Sequence, residues 1–213
     1  MSSRSGSPSA ERDLDRLANL LGAWSLAVSD RIAADAAVAA GRGGQAPAAL
    51  VALHQFAGGG TIEELRQVLG LTHSAAVRLV DRLVADGHVA RSQSTDDGRS
   101  VSLALTRAGQ AAARRVIRAR GEAVRAALGG LSAAQRRDLT ALAERLTTDL
   151  AALRLEDRRA GTTPPGGWLC RLCDFAACGR PDGRCPAAGQ ARPGRSARSA
   201  SIVSASSASL SGR

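Results

Sequence analysis

Two short helical segments follow each other with almost no loop between them, and this pattern constrains the fold more than any other feature of the chain. The first, TIEELRQVLG, begins at the capping-box pair Thr61 and Glu64 and ends at Gly70. The second, LTHSAAVRLVDRLVADG, can be capped by Thr72 and ends at Gly87. Two helices of this length joined at a glycine predict a helix-turn-helix.

The residues after this pair predict a β-hairpin. HVARSQ and SVSLALT flank STDDGR, in which Asp97 and Gly98 are a hairpin-turn signal. Val101, Leu103 and Leu105 alternate with small or polar residues, which is typical of a half-buried strand. We therefore expect the helix-turn-helix to carry a two-stranded wing.

Helical segments precede this unit. Apolar residues recur at helical spacing after Asp13 and predict one long helix to about Ala40. After the GRGGQAP break, Pro47 can start a short second helix, because proline fits the first turn of a helix.

Two further helices are predicted after the wing. Thr106 opens an arginine-rich helix that runs to about Leu128. Ser132 and Gln135 then form another capping box. The last helix carries a single apolar stripe, made of Leu139, Leu142, Leu146, Leu150 and Leu153.

The composition favours helices over sheets in the core. Aromatic residues make up only 2% of the chain, so the core must consist mainly of Leu, Val and Ala. The expected fold is mainly α with a small β-hairpin wing, a winged helix-turn-helix domain flanked by N- and C-terminal helices. The expected organisation is a disordered arm (1–10), a mainly helical domain (11–159) with the winged helix-turn-helix at about 46–109, a linker (160–167), a cysteine segment (168–187) and a disordered basic tail (188–213).

The second helix of the pair has two different faces. Ala76, Leu79, Val80, Leu83 and Val84 fall on one side of a helical wheel, whereas Ser74, Arg78 and Arg82 fall on the other. A charged face alone is typical of a solvated surface. The helix-turn-helix and the hairpin around it instead favour a recognition helix, in which arginine can pair with guanine and Ser74 can contact a base or a phosphate.

Residues 61–109 resemble a MarR-family regulator. The resemblance rests on SAAVRLVDRLVADGHVAR, on DDGRSVSLALT and on the helix opening LTRAG, and with the flanking helices it covers about residues 11–155. It implies a dimeric transcriptional regulator, expected to be a repressor, with interlocked terminal helices and a near-palindromic double-stranded DNA operator. It also implies a crevice for a small-molecule effector, and a wing-tip pair, Asp97 and Arg99, whose arginine enters the minor groove.

The charge of the chain permits a polyanionic partner but does not locate its site. The formal net charge is +10, and every basic side chain apart from histidine is arginine. Residues 61–109 are balanced between acidic and basic side chains, so the excess lies after the wing. The polar N-terminus lacks the apolar region of a signal peptide, and charged residues such as Asp30 interrupt the apolar runs. We expect a cytoplasmic, nucleoid-associated protein without a membrane span.

All four cysteines lie in one short stretch, CRLCDFAACGRPDGRC. Cys170, Cys173, Cys178 and Cys185 are separated by two, four and six residues. Four thiolates satisfy a tetrahedral zinc ion, and they also suit an iron–sulfur cluster. We expect one metal centre per protomer, with zinc favoured over the cluster. Two disulfides and four unbound thiols are the alternatives.

Enzyme motifs are lacking in the sequence. His54, His73 and His88 are not at metal-pair spacing, and neither a nucleophile elbow nor an H-E-x-x-H motif occurs. We therefore expect a regulator with a C-terminal metal or redox-sensing site, and no enzyme. The alternative is a metal-dependent protein-interaction module that uses the winged helix as a scaffold.

Overall fold

The computed structural model of the protein describes residues 8–56, 60–93, 101–162 and 166–189. The predicted wing tip and nearly all of the predicted basic tail therefore lie outside the described residues. The elements are α1 (Pro8–Ala40), α2 (Ala46–Gln55), β1 (Gly60–Thr61), α3 (Ile62–Leu69), α4 (His73–Ala85), β2 (Val89–Gln93), β3 (Val101–Leu105), α5 (Arg107–Ala127), α6 (Ala133–Arg159) and α7 (Pro186–Gly189).

The first helix begins earlier than the sequence pattern predicted. The helical pattern was expected from Asp13, after a disordered arm over residues 1–10, but α1 starts at Pro8. Proline tolerates the first helical turn, where its missing N–H has no partner to lose, and Glu11 complements the positive end of the helix dipole. None of the helices in the described ranges combines the length and hydropathy needed to span a membrane.

The predicted helix caps are confirmed. The Thr61 hydroxyl accepts a hydrogen bond from the Glu64 amide at 3.2 Å, and the Glu64 carboxylate accepts one from the Thr61 amide at 2.7 Å. Ser132 and Gln135 form the same reciprocal pair at the start of α6. Gly70 ends α3 in the left-handed conformation, with φ of 65°, so the tight turn of the helix-turn-helix forms as expected.

The wing is confirmed, but the sheet has three strands rather than two. β2 and β3 pair antiparallel, and β1 adds to the other side of β3 through Gly60 opposite Leu103. A strand of two residues is too short to give an alternating pattern, which is why it was not predicted. Leu103 is fully buried as expected, whereas Val101, the first residue of β3, is 43% exposed and pairs with Gln93 at the end of the sheet farthest from Leu105.

The core is built from aliphatic side chains, as the composition predicted. Residues 46–53 of α2 are all buried, and α1 packs against α5 around them. The largest fully buried side chains are Leu50, Leu65, Leu69, Leu83, Leu103, Val51, Val80 and Val116. The protein is thus a mainly α winged-helix fold with a small antiparallel sheet, which confirms the predicted fold class.

The terminal helices α1 and α6 leave their apolar stripes uncovered in the single chain. No residue of α6 is buried. The exposed large apolar residues are concentrated on these two helices and include Leu14, Leu17, Leu20, Leu21, Trp24, Leu139, Leu142, Leu146, Leu150 and Leu153. Apolar surface of this extent marks an interaction face in a soluble protein.

Candidate nucleic-acid interface and cysteine cluster

Helix α4 presents the two faces that its sequence predicted. Ala76, Leu79, Val80 and Leu83 are at most 5% exposed and attach the helix to the core. Ser74, Arg78 and Arg82 are all exposed on the other face. Val84, at the edge of the apolar face in the last turn, is 36% exposed.

The exposed face of α4 carries two arginines without a carboxylate partner in the described part of the chain. The Arg82 side chain folds back along the helix, and its Nε donates a hydrogen bond to the Arg78 carbonyl oxygen at 3.0 Å. The Ser74 hydroxyl lies 3.4 Å from that of Thr72, the N-cap of the helix. The structure therefore brings Ser74, Arg78 and Arg82 together on one accessible face that can receive an anion.

Asp81 lies on the same helix, but a residue of the wing neutralises it. Arg91 of β2 donates to the Asp81 carboxylate at 2.6 Å. This pair neutralises the one acidic side chain within α4 and ties the wing to that helix. Sequence reasoning missed the role of Arg91, because strand and helix meet only in the folded chain.

A second ion pair fixes the far end of α4. The Arg42 guanidinium, between α1 and α2, donates two hydrogen bonds to Asp86, at 2.6 and 2.8 Å. These bonds hold the pKa of the Asp86 carboxyl below its usual range. The C-cap of the helix is thereby attached to the helices beneath it. This contact was also missed, because the two residues are 44 positions apart.

The wing-tip residues Asp97 and Arg99 lie outside the described residues. The strands that lead to them are paired from Val89 opposite Leu105 to Gln93 opposite Val101. The predicted role of this pair stays a prediction.

The cysteine segment is a series of turns that ends in α7. Its backbone bonds run from Cys173 N to Cys170 O at 3.0 Å and from Cys178 N to Asp174 O at 3.0 Å. The thiols shift one another's pKa in two pairs, Cys170 with Cys173 and Cys178 with Cys185. Cys185 is buried, and the other three are half-buried. The structure thus places all four predicted ligands in one small unit.

The surroundings of the thiols give them different acidities. A hydrogen bond from Cys170 lowers the pKa of Cys173 to about 6, and the positive charges of Arg120, Arg180 and Arg171 act in the same direction. The same thiol pairing raises the pKa of Cys170. Because the thiolate is the form that binds metals, Cys173 is prepared to act as a ligand at neutral pH.

The two thiol pairs do not form a closed metal site as they stand. Within the described ranges, no three or more His, Cys, Asp or Glu side chains are arranged to hold a metal ion. Electrostatic coupling between Cys173 and Cys178, and between Cys170 and Cys185, reaches across the two pairs. A metal shared by all four thiolates would have to draw the pairs together, and the predicted centre stays a prediction.

A cavity of about 310 Å³ lies between α6 and the cysteine segment. Its lining combines an aromatic ring, aliphatic side chains and three arginines, and it reaches one of the thiols. These residues include Arg154, Arg158, Arg180, Trp168, Leu155 and Cys170. The cavity has the size of a small-molecule site, and its charge favours an anionic occupant.

Comparison with known proteins addresses the winged-helix part of the chain. Residues 41–100 match the family model of the MarR family. No curated protein sequence matches the chain at a significant level.

Solved structures, two of them of MarR-family proteins, have the same fold. A MarR family protein from Bacillus stearothermophilus is 23% identical, with a TM-score of 0.58 over 66% of this chain and 96% of that one. Rv1404 from Mycobacterium tuberculosis is 25% identical, with a TM-score of 0.53 over 69% and 97% of the two chains. The MarR family protein Rv2887 of the same organism, in a structure of its complex with DNA, is 25% identical, with a TM-score of 0.51 over 61% and 96%. The helix-turn-helix segment of this chain therefore matches the MarR family model, and the solved structures share the fold around this segment.

Proposed function

We propose that the protein is a sequence-specific DNA-binding transcriptional regulator, a dimeric repressor that acts in the cytoplasm on the nucleoid. The observation that carries this proposal is the exposed face of α4, where Arg78 and Arg82 lie beside a wing and have no carboxylate partner in the described part of the chain. An arginine on such a face can pair with guanine O6 and N7 in the major groove. The DNA complex of the relative Rv2887 supports the same use of the fold.

The pairing of Asp81 with Arg91 also supports DNA binding. The neutral balance of acidic and basic residues in the winged segment would otherwise weaken attraction to phosphate. Because the Asp81 carboxylate is held by Arg91, the positive charges of Arg78 and Arg82 dominate this face of α4. We propose that Asp97 and Arg99 at the wing tip add a minor-groove contact, with Asp97 holding Arg99 in position.

Dimerisation through α1 and α6 is part of the proposal. The leucine stripe of α6 and the apolar residues of α1 are exposed in the single chain, and a second copy offers the same surfaces. A two-fold dimer places two α4 helices on one face, which suits a near-palindromic operator.

Substitution of the α4 arginines tests the DNA-reading role. Arg78→Ala and Arg82→Ala should each weaken operator binding by roughly 1–3 kcal/mol if that arginine reads a base, and should have a much smaller effect on random DNA. Fluorescence anisotropy on a selected operator and on a scrambled duplex measures both values. Arg137→Ala, an exposed arginine on α6, is the matched control and should change neither affinity.

If Arg78→Ala or Arg82→Ala weakens binding to the operator and to the scrambled duplex equally, that arginine contacts phosphate and does not read a base. Full operator affinity in the Arg78→Ala, Arg82→Ala double variant would contradict the recognition-helix proposal itself.

We further propose that Cys170, Cys173, Cys178 and Cys185 bind one metal centre per protomer, with zinc favoured over an iron–sulfur cluster. Two thiol pairs, the low pKa of Cys173 and the arginines around it all favour thiolates that can bind a metal. The bound state would serve as the metal or redox input of the regulator, beside a small-molecule effector in the adjacent cavity.

Removing one thiol from each pair tests the four-ligand centre. The Cys170→Ser, Cys178→Ser double variant should lose the metal completely, because each pair then supplies only one thiolate. Metal analysis of protein purified without air measures the content and distinguishes zinc from iron. Full metal retention in this variant would contradict the proposal, and two disulfides in the unsubstituted, anaerobically purified protein would replace it.

A further inference from the structure

The turn of the helix-turn-helix is in direct contact with the start of the cysteine segment. We call this turn, residues 68–71, the elbow. Trp168 N donates a hydrogen bond to the Val68 carbonyl oxygen at 2.8 Å. Val68 lies in the last turn of α3, where carbonyl groups have no partner within the helix, so Trp168 supplies the missing donor.

The backbones also touch at two glycines. Gly70 and Gly167 both have positive φ, 65° and 73°, and a Cβ on Gly70 would lie 2.7 Å from Gly167 N. Gly167, at the end of the predicted linker, is therefore packed on the elbow rather than free of it. The predicted linker thus ends in direct contact with the helix-turn-helix.

An aromatic cluster strengthens the contact. Phe56, the C-cap of α2, meets Trp168 edge to face at 5.2 Å between ring centroids and Phe175 at 4.6 Å. Three of the four aromatic residues in the whole chain lie in this cluster, so the largest apolar side chains are used here. Trp168 and Leu172 also pack against the main core.

The cysteine segment is attached to the terminal helix at the same point. Arg154 of α6 donates a hydrogen bond from Nη1 to the Gly167 carbonyl oxygen at 2.7 Å. The Arg158 guanidinium lies over the Trp168 ring, 5.8 Å from its centroid. Gly167 and Trp168 therefore contact the elbow on one side and α6 on the other.

Arg180 connects this contact to the cysteines. Its guanidinium lies 5.1 Å from the Phe56 centroid and 4.6 Å from that of Phe175. Its Nη1 also donates to Cys170 Sγ at 3.9 Å. Arg180 thus contacts both the Cys170 thiol and the rings of Phe56 and Phe175. A change in what Cys170 binds therefore changes one of the contacts that hold Arg180 over these rings.

We infer that the cysteine segment is a clasp between the elbow and α6, and that the chemical state of the cysteines sets how firmly the clasp holds α4 relative to α6. This inference rests on the proposed function, because it gives the regulation of the same DNA-binding face. The segment has little regular structure of its own, and ligation of its cysteines would add to the contacts that hold its turns.

The clasp would act on DNA affinity through geometry. Recognition helices of a dimer must enter major grooves about one helical turn, roughly 34–36 Å, apart. If α6 holds the dimer together, any movement of the elbow relative to α6 changes the distance between the two α4 helices. When the clasp holds α4 and α6 together, the two α4 helices of a dimer keep one separation. When the clasp is released, their separation varies, so the operator affinity of the two states differs.

The experiment compares two cysteine states in the full chain with and without the clasp. Protein purified without air is compared with protein stripped by a chelator and alkylated with iodoacetamide. Operator affinity should differ between the states by at least about fivefold in the unsubstituted chain, and by less than about twofold in Trp168→Ala. Hydrogen exchange at the amides of residues 69–71 should accelerate on alkylation in the unsubstituted chain, and should be fast in both states of the variant.

A second variant guards against a folding defect in Trp168→Ala. Arg154→Gln removes the hydrogen bond to Gly167 and one positive charge of the cavity lining, and it should reduce the affinity difference between the two states. Arg159→Gln, an exposed arginine on the same helix, is its control and should preserve that difference.

Three results would overturn the clasp: no affinity difference in the unsubstituted chain, an undiminished difference in Trp168→Ala, or elbow exchange that is insensitive to alkylation. If no form of the protein binds DNA, the proposed function fails, and the exchange rates at the elbow still decide whether the clasp exists.

Discussion

Replacing Leu146 and Leu150 by aspartate is expected to convert the protein to a monomer and to lower its operator affinity by at least about 100-fold. Both leucines belong to the exposed stripe of α6, where they are 60% and 45% exposed in the single chain. Burial of one leucine side chain contributes about 1.5–3 kcal/mol, and a two-fold interface contains each leucine twice. The variant loses this contribution and also places four carboxylates in an apolar contact.

The operator affinity falls because a monomer carries only one recognition helix, whereas a dimer joins two. In a dimer, binding of one α4 helix holds the second near its half-site at a high effective concentration, and a monomer lacks this advantage. Sedimentation equilibrium measures the association state, and anisotropy on a full operator and on a half-site measures the affinity. The half-site affinity of the variant should remain near that of the unsubstituted chain.

A control on the same helix distinguishes the loss of the leucine stripe from the effect of adding a negative charge to α6. Ala141 is exposed on α6 but does not belong to the leucine stripe, so Ala141→Asp should leave both association and affinity unchanged. A Leu146→Asp, Leu150→Asp variant that remains dimeric would show that α6 is not the dimer helix.

The parts of the fold that depend on neighbouring residues in the chain were predictable from sequence. A capping box such as Thr61 with Glu64 acts over three residues, so its pattern is visible in the sequence and it fixes the start of α3. The faces of α4 were predictable for the same reason, because side chains four residues apart share one side of a helix. These local rules also located Arg78 and Arg82.

The parts that depend on distant residues were not predictable. Strand β1 forms by pairing with the edge of β3, where Gly60 lies opposite Leu103. Asp81 is neutralised because the wing brings Arg91 to it. The cysteine spacing indicated a site but did not reveal its docking. Phe56 and Trp168 lie far apart in the chain, and nothing in either local sequence indicates that their rings meet.

The second large effect is expected at the elbow, where Gly70→Ala should lower the free energy of unfolding substantially more than Gly87→Ala. Both glycines end a helix of the pair with similar positive φ, 65° and 71°. An alanine in this conformation costs roughly 1–2 kcal/mol at either position. The surroundings differ, because nothing lies within 4 Å of a Cβ on Gly87, whereas a Cβ on Gly70 meets the Gly167 backbone at 2.7 and 2.9 Å.

The difference between the two variants therefore measures the contact with the cysteine segment and not the backbone strain. We expect Gly70→Ala to be less stable than Gly87→Ala by about 1–3 kcal/mol, the usual effect of forcing extra atoms into a packed contact. Urea unfolding followed by circular dichroism measures both values. The backbone of Gly167 cannot move away without breaking the Trp168 bond to Val68 and the Arg154 bond to Gly167. Equal destabilisation by the two alanines would therefore mean that the segment leaves the elbow readily, and that the helix-turn-helix folds without it.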